Sequence, residues 1–531
     1  MKAYQHFILL LTVTFLFSCS NDSQVCSVDS LDSSLCILSG NGDSDITLRD
    51  ADTLAFPSSS LFANQCTSEN ATAEKMFLRS WSNELYLWYD EIIAQDPSNF
   101  SVTDYFDTLK SDELTASGAP KDQFHFWLPT DQYNDSNAGA SFGYGIRWAI
   151  NQSNGSRSIK VAYTEPTRAA ALGAINRGDA LVQIDTTRVD TTSNAGIQFL
   201  NDALFNAQPN QRYRFYFKRP NQTEYSTILT SGAFSFSPVN TALTLTHSSS
   251  RQLGYLAFHS FIASAERPLI NVFSQFEQAG VDELVLDLRY NGGGLLFLAS
   301  QLAYMIAGDS ASRNKIFELS RFNIKHPLVN PVTLESIMPL PFYSRGIGFN
   351  NDVPVDFNLP SLNLDRVYVL SSDETCSASE AVINGLRGID IEVILIGDTS
   401  CGKPYGFYPR NNCGKTYFSI QFEGVNNKGF GEYSDGFTPQ NSLDFTAVGI
   451  PGCSVEDTIN ANLGDPDEVL FNQAIQLIEG GTCTARPVSQ IPMKSLPLLR
   501  GLSSGQVNEV NAPSIELKRP AQIPGRIITR P

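Results

Sequence analysis

Three apolar runs, each followed by a turn and a helical pattern, limit what this chain can fold into more than any other feature. Glu283-Leu-Val-Leu-Asp-Leu-Arg289 reads as a buried strand, and Asn291, the glycines Gly292–Gly294 and an apolar helix from Leu295 to about Ile306 follow it. Arg366 to Leu370 and Ile391 to Ile396 are two more such runs, and a helix of about ten residues begins between them after Ser377. Strands that are apolar throughout have both faces covered, and strands joined through helices run parallel, because the crossover returns the chain to the same end of the sheet. The expected fold class is therefore α/β, with a mostly parallel sheet in a domain covering residues 235–482. At 531 residues the chain exceeds one hydrophobic core, so two or three domains are expected.

Upstream of that domain the pattern changes twice. Over residues 69–135 it is helical: Phe77, Trp81, Leu85, Trp88 and Ile92 recur at spacings of three and four, as one buried face requires. These aromatics are read as packing in an N-terminal helical domain. Residues 138–232 hold short β-like runs, such as Ser158 to Tyr163 and Tyr213 to Lys218, broken by turn residues. A short helix ending at Gly173, then Arg177-Gly178-Asp179 and an apolar strand, looks like the central stretch of a PDZ domain. Gly143, Tyr144, Gly145 and Ile146 sit where such domains carry the glycine loop whose backbone N–H groups hold a peptide carboxylate. On its own that loop is equally well explained as a tight turn. The combination points to a PDZ-like module that receives the C-terminal tails of polypeptides.

The first 18 residues have an early Lys2, an apolar run from Phe7 to Phe17 and Ser18 before Cys19, which is the anatomy of an export signal. Leu16 to Cys19 resembles the lipobox of bacterial lipoproteins, which implies a lipidated Cys19 and a membrane anchor. Ser20 points by the same analogy to a protein of the cell envelope, at the outer membrane and facing the periplasm or the cell surface. Residues 19–68 are rich in Ser, Asp, Asn and Gly, as suits a solvated tether. Residues 483–531 hold many prolines and seven Lys/Arg against two Glu, which suits an extended, mobile tail. In an exported chain the cysteines other than Cys19 can form disulfides, with Cys26–Cys36 and Cys401–Cys413 as the short-loop pairings. The formal charge of −18 repels phosphate backbones, so nucleic acid is not an expected partner. No cofactor is indicated, and the scarcity of His and the lack of a close Cys-x-x-Cys pair argue against a metal site. Oligomeric state is not legible.

Two segments carry chemistry. Asp373-Glu-Thr-Cys-Ser377-Ala378-Ser379-Glu380 leaves one strand and enters a helix, and Gly397-Asp-Thr-Ser-Cys-Gly402-Lys403 follows the next strand. Parallel neighbours end on the same edge, so Lys403 can reach Ser377 there. Serine is a weak nucleophile until a base takes its proton, and lysine serves only when neutral. Desolvation by Tyr405, Phe407 and the preceding apolar run would lower the amine's pKa, by up to ~3–5 units for a fully buried lysine. Taken singly, Ser377 with Glu380 is a helix capping box and Lys403 is a surface amine.

Taken together with Gly254 to Phe261, with Asp287-Leu-Arg289-Tyr-Asn291-Gly-Gly-Gly294 and with Ser377-Ala-Ser-Glu, they resemble the tail-specific, or C-terminal-processing, serine peptidases. The resemblance covers residues 70–480. It implies a crotonase-like (ClpP-like) catalytic domain with an associated PDZ domain. It implies Ser377 as nucleophile, Lys403 as general base, and an oxyanion hole from the backbone N–H groups of Ala378 and Gly293. Asp287 and Arg289 are read as a pair organising the glycine turn.

The chain departs from the family in two places. Many members carry Gln or Glu four residues after the lysine to orient the amine, and here that residue is Phe407; either Gln421 supplies the polar partner or the dyad works without one. Cys376 beside the nucleophile is unusual, and a Cys376–Cys401 disulfide would bridge the two catalytic segments. Among rival readings, Ser312-Arg-Asn-Lys315 matches the Ser-x-x-Lys of penicillin-binding proteins but lacks its companion motifs, and His125, His247, His259 and His326 occur in no nucleophile-elbow setting. The non-enzyme alternative is a lipid-anchored peptide-binding scaffold that has lost catalysis.

Overall fold

The computed structural model describes residues 56–66, 71–153, 156–483 apart from 167, 169–173, 247–250, 350, 352 and 443, and the short stretch 525–527. The export signal, Cys19, most of the tether, Cys26, Cys36 and the short helix expected to end at Gly173 lie outside the described residues. Among the described residues no helix is long and apolar enough to cross a membrane.

The N-terminal region contains helices α1 (Ala71–Leu85) and α2 (Val102–Thr108) and strand β1 (Phe126–Pro129). The helical spacing read from Phe77 to Ile92 runs past the true helix end at Leu85. Tyr89–Glu91 is a single 3-10 turn, and Ile92 is buried from outside any α-helix. Apolar spacing reports which residues face a core, and a turn after a helix can keep the same residues facing it.

A small β domain follows, with strands β2 (Ile146–Ser153), β3 (Ser156–Thr164) and β4 (Ala180–Ile184), helix α3 (Asn194–Phe205), and strands β5 (Arg212–Lys218) and β6 (Glu224–Thr230). The five strands form one antiparallel sheet in the order β2-β3-β4-β5-β6. Trp148, Val161, Ile184, Leu200 and Phe215 fill a core of its own. Ala140–Gly143 pairs with Gly232–Ser235, so the chain enters and leaves this domain side by side.

The large domain is built on β7 (Val239–Thr246), β8 (Gln252–Phe258), α4 (Glu266–Ala279), β9 (Glu283–Asp287), β10 (Gly293–Leu295), α5 (Leu296–Ser312) and β11 (Ile316–Phe322). It continues through β12 (Arg366–Ser371), α6 (Ala378–Gly388), β13 (Glu392–Gly397), β14 (Lys415–Phe418), β15 (Phe422–Val425), β16 (Gly452–Ser454) and α7 (Val469–Ile478). The central sheet has the order β7-β8-β9-β12-β13-β16 and is parallel except for the β7–β8 pair. Its residues alternate between two cores. Leu256, Leu286, Val369 and Leu395 pack with α4, α5 and α6, while Tyr255, Val285, Leu370 and Ile396 pack with α7 on the other face. Both faces being covered is why these strands lack polar alternation. The α/β expectation holds.

The N-terminal region is part of this body. Strand β1 pairs antiparallel with β14, and Phe77, Trp81, Tyr86 and Phe106 share one core with Cys376, Tyr405, Tyr417 and Ile420. Disulfide Cys66–Cys413 closes the same contact covalently, and Cys453–Cys483 ties β16 to the chain leaving α7. Cys413 is thereby taken, so the short-loop pairing Cys401–Cys413 is not formed. Sequence proximity favours a pairing only where folding does not bring another thiol closer.

Within the tail expected to be unpaired, Gly525–Ile527 is strand β17 and runs parallel to β10. Strand β10 has a free side for it: Phe261 N–H donates to Gly293 O at 3.0 Å and Leu295 N–H to Phe261 O at 2.7 Å, so the Gly294 peptide groups face the opposite side.

Candidate active site

Strands β12 and β13 are in register from Arg366 opposite Glu392 to Ser371 opposite Gly397. Each then runs six residues beyond the sheet before its candidate catalytic residue, Ser377 from Ser371 and Lys403 from Gly397. Equal offsets from a common edge bring the two segments together. The link is made by Cys401 N–H donating to Thr375 O at 3.0 Å and by the Cys376–Cys401 disulfide, whose Cα atoms are 5.2 Å apart.

Ser377 stands at the N-terminus of α6 with φ 60° and ψ −110°, a left-handed backbone that costs a non-glycine residue on the order of 1–2 kcal/mol. Half of the expected capping box is present: Ser377 N–H donates to Glu380 Oε2 at 2.9 Å. Ser377 Oγ itself is buried and makes no hydrogen bond. A strained turn with an uncommitted buried hydroxyl is the reverse of what a cap needs.

Lys403 is fully buried. Its Nζ lies 4.2 Å from the ring centroid of Phe407 and 4.8 Å from that of Phe124. Loss of water disfavours a charged amine, and two ring faces return only ~0.5–2 kcal/mol to it. Phe407 thus forms a wall of the base's pocket. Gln421 is also fully buried, and its amide is engaged at both ends by the backbone of Tyr408, at 3.2 Å each way.

Glu380 does the joining. Its buried carboxylate accepts from Ser377 N–H at 2.9 Å, Gly402 N–H at 2.8 Å, Lys403 N–H at 2.8 Å and Ser400 Oγ at 2.6 Å. Burial raises its pKa, and the donors from Ser400, Lys403, Ser377 and Gly402 pull it back down. Gly402 supplies the bend that presents two successive N–H groups: its φ is 82°, and a Cβ there would lie 2.3 Å from Ser434 O.

The expected oxyanion donors are the Ala378 and Gly293 N–H groups. Ala378 begins α6, where a backbone N–H has no intrahelical acceptor. Gly293 abuts the nucleophile so closely that a Cβ on it would stand 2.9 Å from Ser377 Cβ and 2.9 Å from Ala378 N. Its N–H, however, already donates to Asn291 Oδ1 at 2.9 Å. The Gly294 peptide groups face β17, with Gly294 opposite Arg526.

Around this centre lie two charged contacts from the small domain. Arg147, next to Ile146 of the Gly143–Ile146 loop, donates to both Glu374 carboxylate oxygens at 2.9 and 3.0 Å, three residues before Ser377. Tyr144 of that loop is buried in the small domain's own core. Arg177 grips Asp457 at 2.6 and 2.7 Å. Arg289 completes a buried network with Asp287 at 3.0 Å and Glu468 at 2.8 and 2.9 Å. Burial opposes ionisation of Asp457, yet Arg289 and Arg177 hold its carboxyl well below the usual range. His259 is pushed down to about 3 by burial and by Arg147, Arg289 and Arg177, and it packs between Tyr163 and Tyr290. Among the described residues the one group of ligand-type side chains close enough to share an ion is Cys376, Glu380 and Cys401, and its two sulfurs bond each other.

Comparison with known proteins places part of the chain in a family. Residues 252–407, which hold β8, the glycine turn, Ser377 and Lys403, match the sequence profile of Peptidase family S41. They are a peptidase family S41 domain. The expectation of a serine-type peptidase is thereby met at the level of the family. A crystal structure of a Bacteroides fragilis NCTC 9343 protein assigned as an S41 protease aligns at 19% identity with a TM-score of 0.58, over 76% of this chain and 97% of its own. That likeness is one of fold. A photosystem II D1 C-terminal processing protease aligns at 17% identity with a TM-score of 0.40, over 71% and 93% of the two chains. No curated protein matched the sequence.

The S41 domain match begins at residue 252, so Phe124, which faces the Lys403 amine, comes from outside it. Neither Phe124 nor Asn291's hold on Gly293 was legible beforehand. A lone aromatic in an aromatic-rich helical region gives no signal, and the glycine turn was expected to be organised by Asp287 and Arg289.

Proposed function

We propose that the chain is a serine endopeptidase of the cell envelope that works through a Ser377–Lys403 dyad. Ser377 Oγ attacks the scissile carbonyl as Lys403 Nζ takes its proton; the amine then passes that proton to the leaving nitrogen and activates the water that releases the acyl-enzyme. The Ala378 N–H, beside the Gly293 turn, receives the oxyanion, an arrangement in which losing one donor costs ~3–4 kcal/mol of barrier in comparable hydrolases. The observation that carries this reading is the Glu380 carboxylate. It holds Ser377, Gly402 and Lys403 by their backbones while the serine hydroxyl stays free of any partner. The Oγ–Nζ hydrogen bond forms when substrate fills the site, as catalytic contacts commonly tighten on binding.

The finer parts of the reading rest on sequence. Cys19 carries a lipid that anchors the chain at the outer membrane, and the small β domain, through Gly143, Tyr144, Gly145 and Ile146, receives C-terminal tails of envelope polypeptides. The Arg147–Glu374 contact supports this, since it joins that loop's strand to the nucleophile segment.

The test is hydrolysis of an unstructured dye-labelled casein by the full chain. Ser377→Ala should lose at least about 1,000-fold in kcat and Lys403→Ala at least about 100-fold, with casein binding retained. Cleavage by both variants at the wild-type rate would sink the dyad. A wild type that binds but never cuts would sink the peptidase reading.

A further inference from the structure

We propose that the Cys376–Cys401 cystine is a positioning clamp for the dyad, and that opening it turns peptide hydrolysis off. The inference rests on the peptidase reading and deepens it.

The two sulfurs belong to residues one before the nucleophile and two before the base. Among the described residues no other side-chain crosslink joins those segments. Ser377 keeps its left-handed backbone, and Gly402 and Lys403 keep their N–H groups on Glu380, only while the segments stay at one separation. The cystine also packs on the hub, with Cys401 Sγ 3.5 Å from Glu380 Oε2. Strained turns persist where their surroundings over-determine them, and a crosslink at this spot does so directly. The chain's other described disulfides, Cys66–Cys413 and Cys453–Cys483, bind no catalytic segment to another.

Opening the clamp is a two-electron reduction. A dithiol such as dithiothreitol attacks one sulfur, the S–S bond breaks, each cysteine sulfur gains a proton, and the reductant leaves as its own cyclic disulfide. Cys401 is the accessible partner, being partly exposed where Cys376 is buried. Freed of the crosslink, the base segment shifts against Glu380 and water reaches the Lys403 amine. An oxidising envelope keeps the clamp closed, and a thiol-rich compartment opens it.

The test compares wild type, Cys376→Ala/Cys401→Ala and, as control, Cys453→Ala/Cys483→Ala on dye-labelled casein. The first pair should lose at least tenfold in kcat with KM within twofold, and the acid limb of its kcat–pH profile should move up by about one unit as the amine is rehydrated. The control should keep wild-type kcat. A purely structural role would lower stability without moving that limb. In parallel, dithiothreitol is titrated onto wild type while alkylation and mass mapping count free Cys376 and Cys401. Activity should fall in step with those two thiols and return on reoxidation, a readout that stands even where the double variant does not fold. Wild-type kcat in a folded double variant, or full activity with both thiols mapped free, overturns the clamp alone. A wild type inactive on casein in its oxidised form overturns the peptidase reading and the clamp with it.

Discussion

Glu380 is a fully buried carboxylate with four donors, and that arrangement decides what a conservative change there would do. In Glu380→Gln the side chain keeps its size, but one acceptor oxygen becomes an NH₂ that meets donors already pointing at it. Buried donors left without an acceptor cost ~1–3 kcal/mol each. Glu380→Gln should therefore destabilise the chain by about 2–4 kcal/mol in urea denaturation, given that only part of the set is lost. It should also lower kcat on casein at least tenfold, since Ser377 and Lys403 lose their common anchor. A variant with unchanged kcat would show that the disulfide and the Cys401–Thr375 backbone bond suffice to hold the dyad.

At the scale of elements, the small β domain is fastened to the large one by arginines that its β character alone would not suggest. Arg177 comes from the Arg-Gly-Asp stretch first read as a fold signature, and its guanidinium is buried against Asp457 beside Arg289. Breaking a buried pair costs more than the pair contributes, because one charge stays behind unpaired. Arg177→Ala is expected to lower unfolding free energy by on the order of 3 kcal/mol, and to split urea denaturation into two transitions if the domains then unfold separately. A single unchanged transition would mean that apolar contacts such as Tyr163 against Tyr290 hold the interface. The elements legible in the sequence were those whose signal is local. Strands β9, β12 and β13 showed as unbroken apolar runs, and the residues flanking Ser377 and Lys403 lie within a few positions of a strand end. Pairing of β1 with β14, the Cys66–Cys413 crosslink and Phe124's place at the amine each join residues hundreds apart. No periodicity records such contacts. The end of α1 was misread for the opposite reason, since Ile92 faces the same core from a turn.

The whole molecule buries a histidine where its parts meet. His259 leaves β8 of the large domain and faces Arg147 and Arg177 of the small one, Arg289 of the sheet and Glu374 of the nucleophile segment. Burial and three guanidiniums keep the ring neutral, with a pKa of about 3. In the unfolded chain it titrates near ~6.5. As pH falls below ~6.5 the unfolded state takes a proton that the folded state refuses, so stability that is complete above that pH is lost progressively toward pH 3. Other buried groups titrate in the same range with opposite sign, Glu165 raised to about 7 among them, so wild type alone does not isolate the effect. A comparison with His259→Phe does, because phenylalanine keeps a ring against Tyr163, 4.1 Å away centroid to centroid, and cannot titrate. Between pH 7.5 and pH 4.5 the stability of wild type relative to that variant should fall by about 2–3 kcal/mol, from ~1.4 kcal/mol per pH unit below 6.5. A difference that stays constant with pH would mean that the domain junction admits the proton, and with it water, within reach of the nucleophile segment.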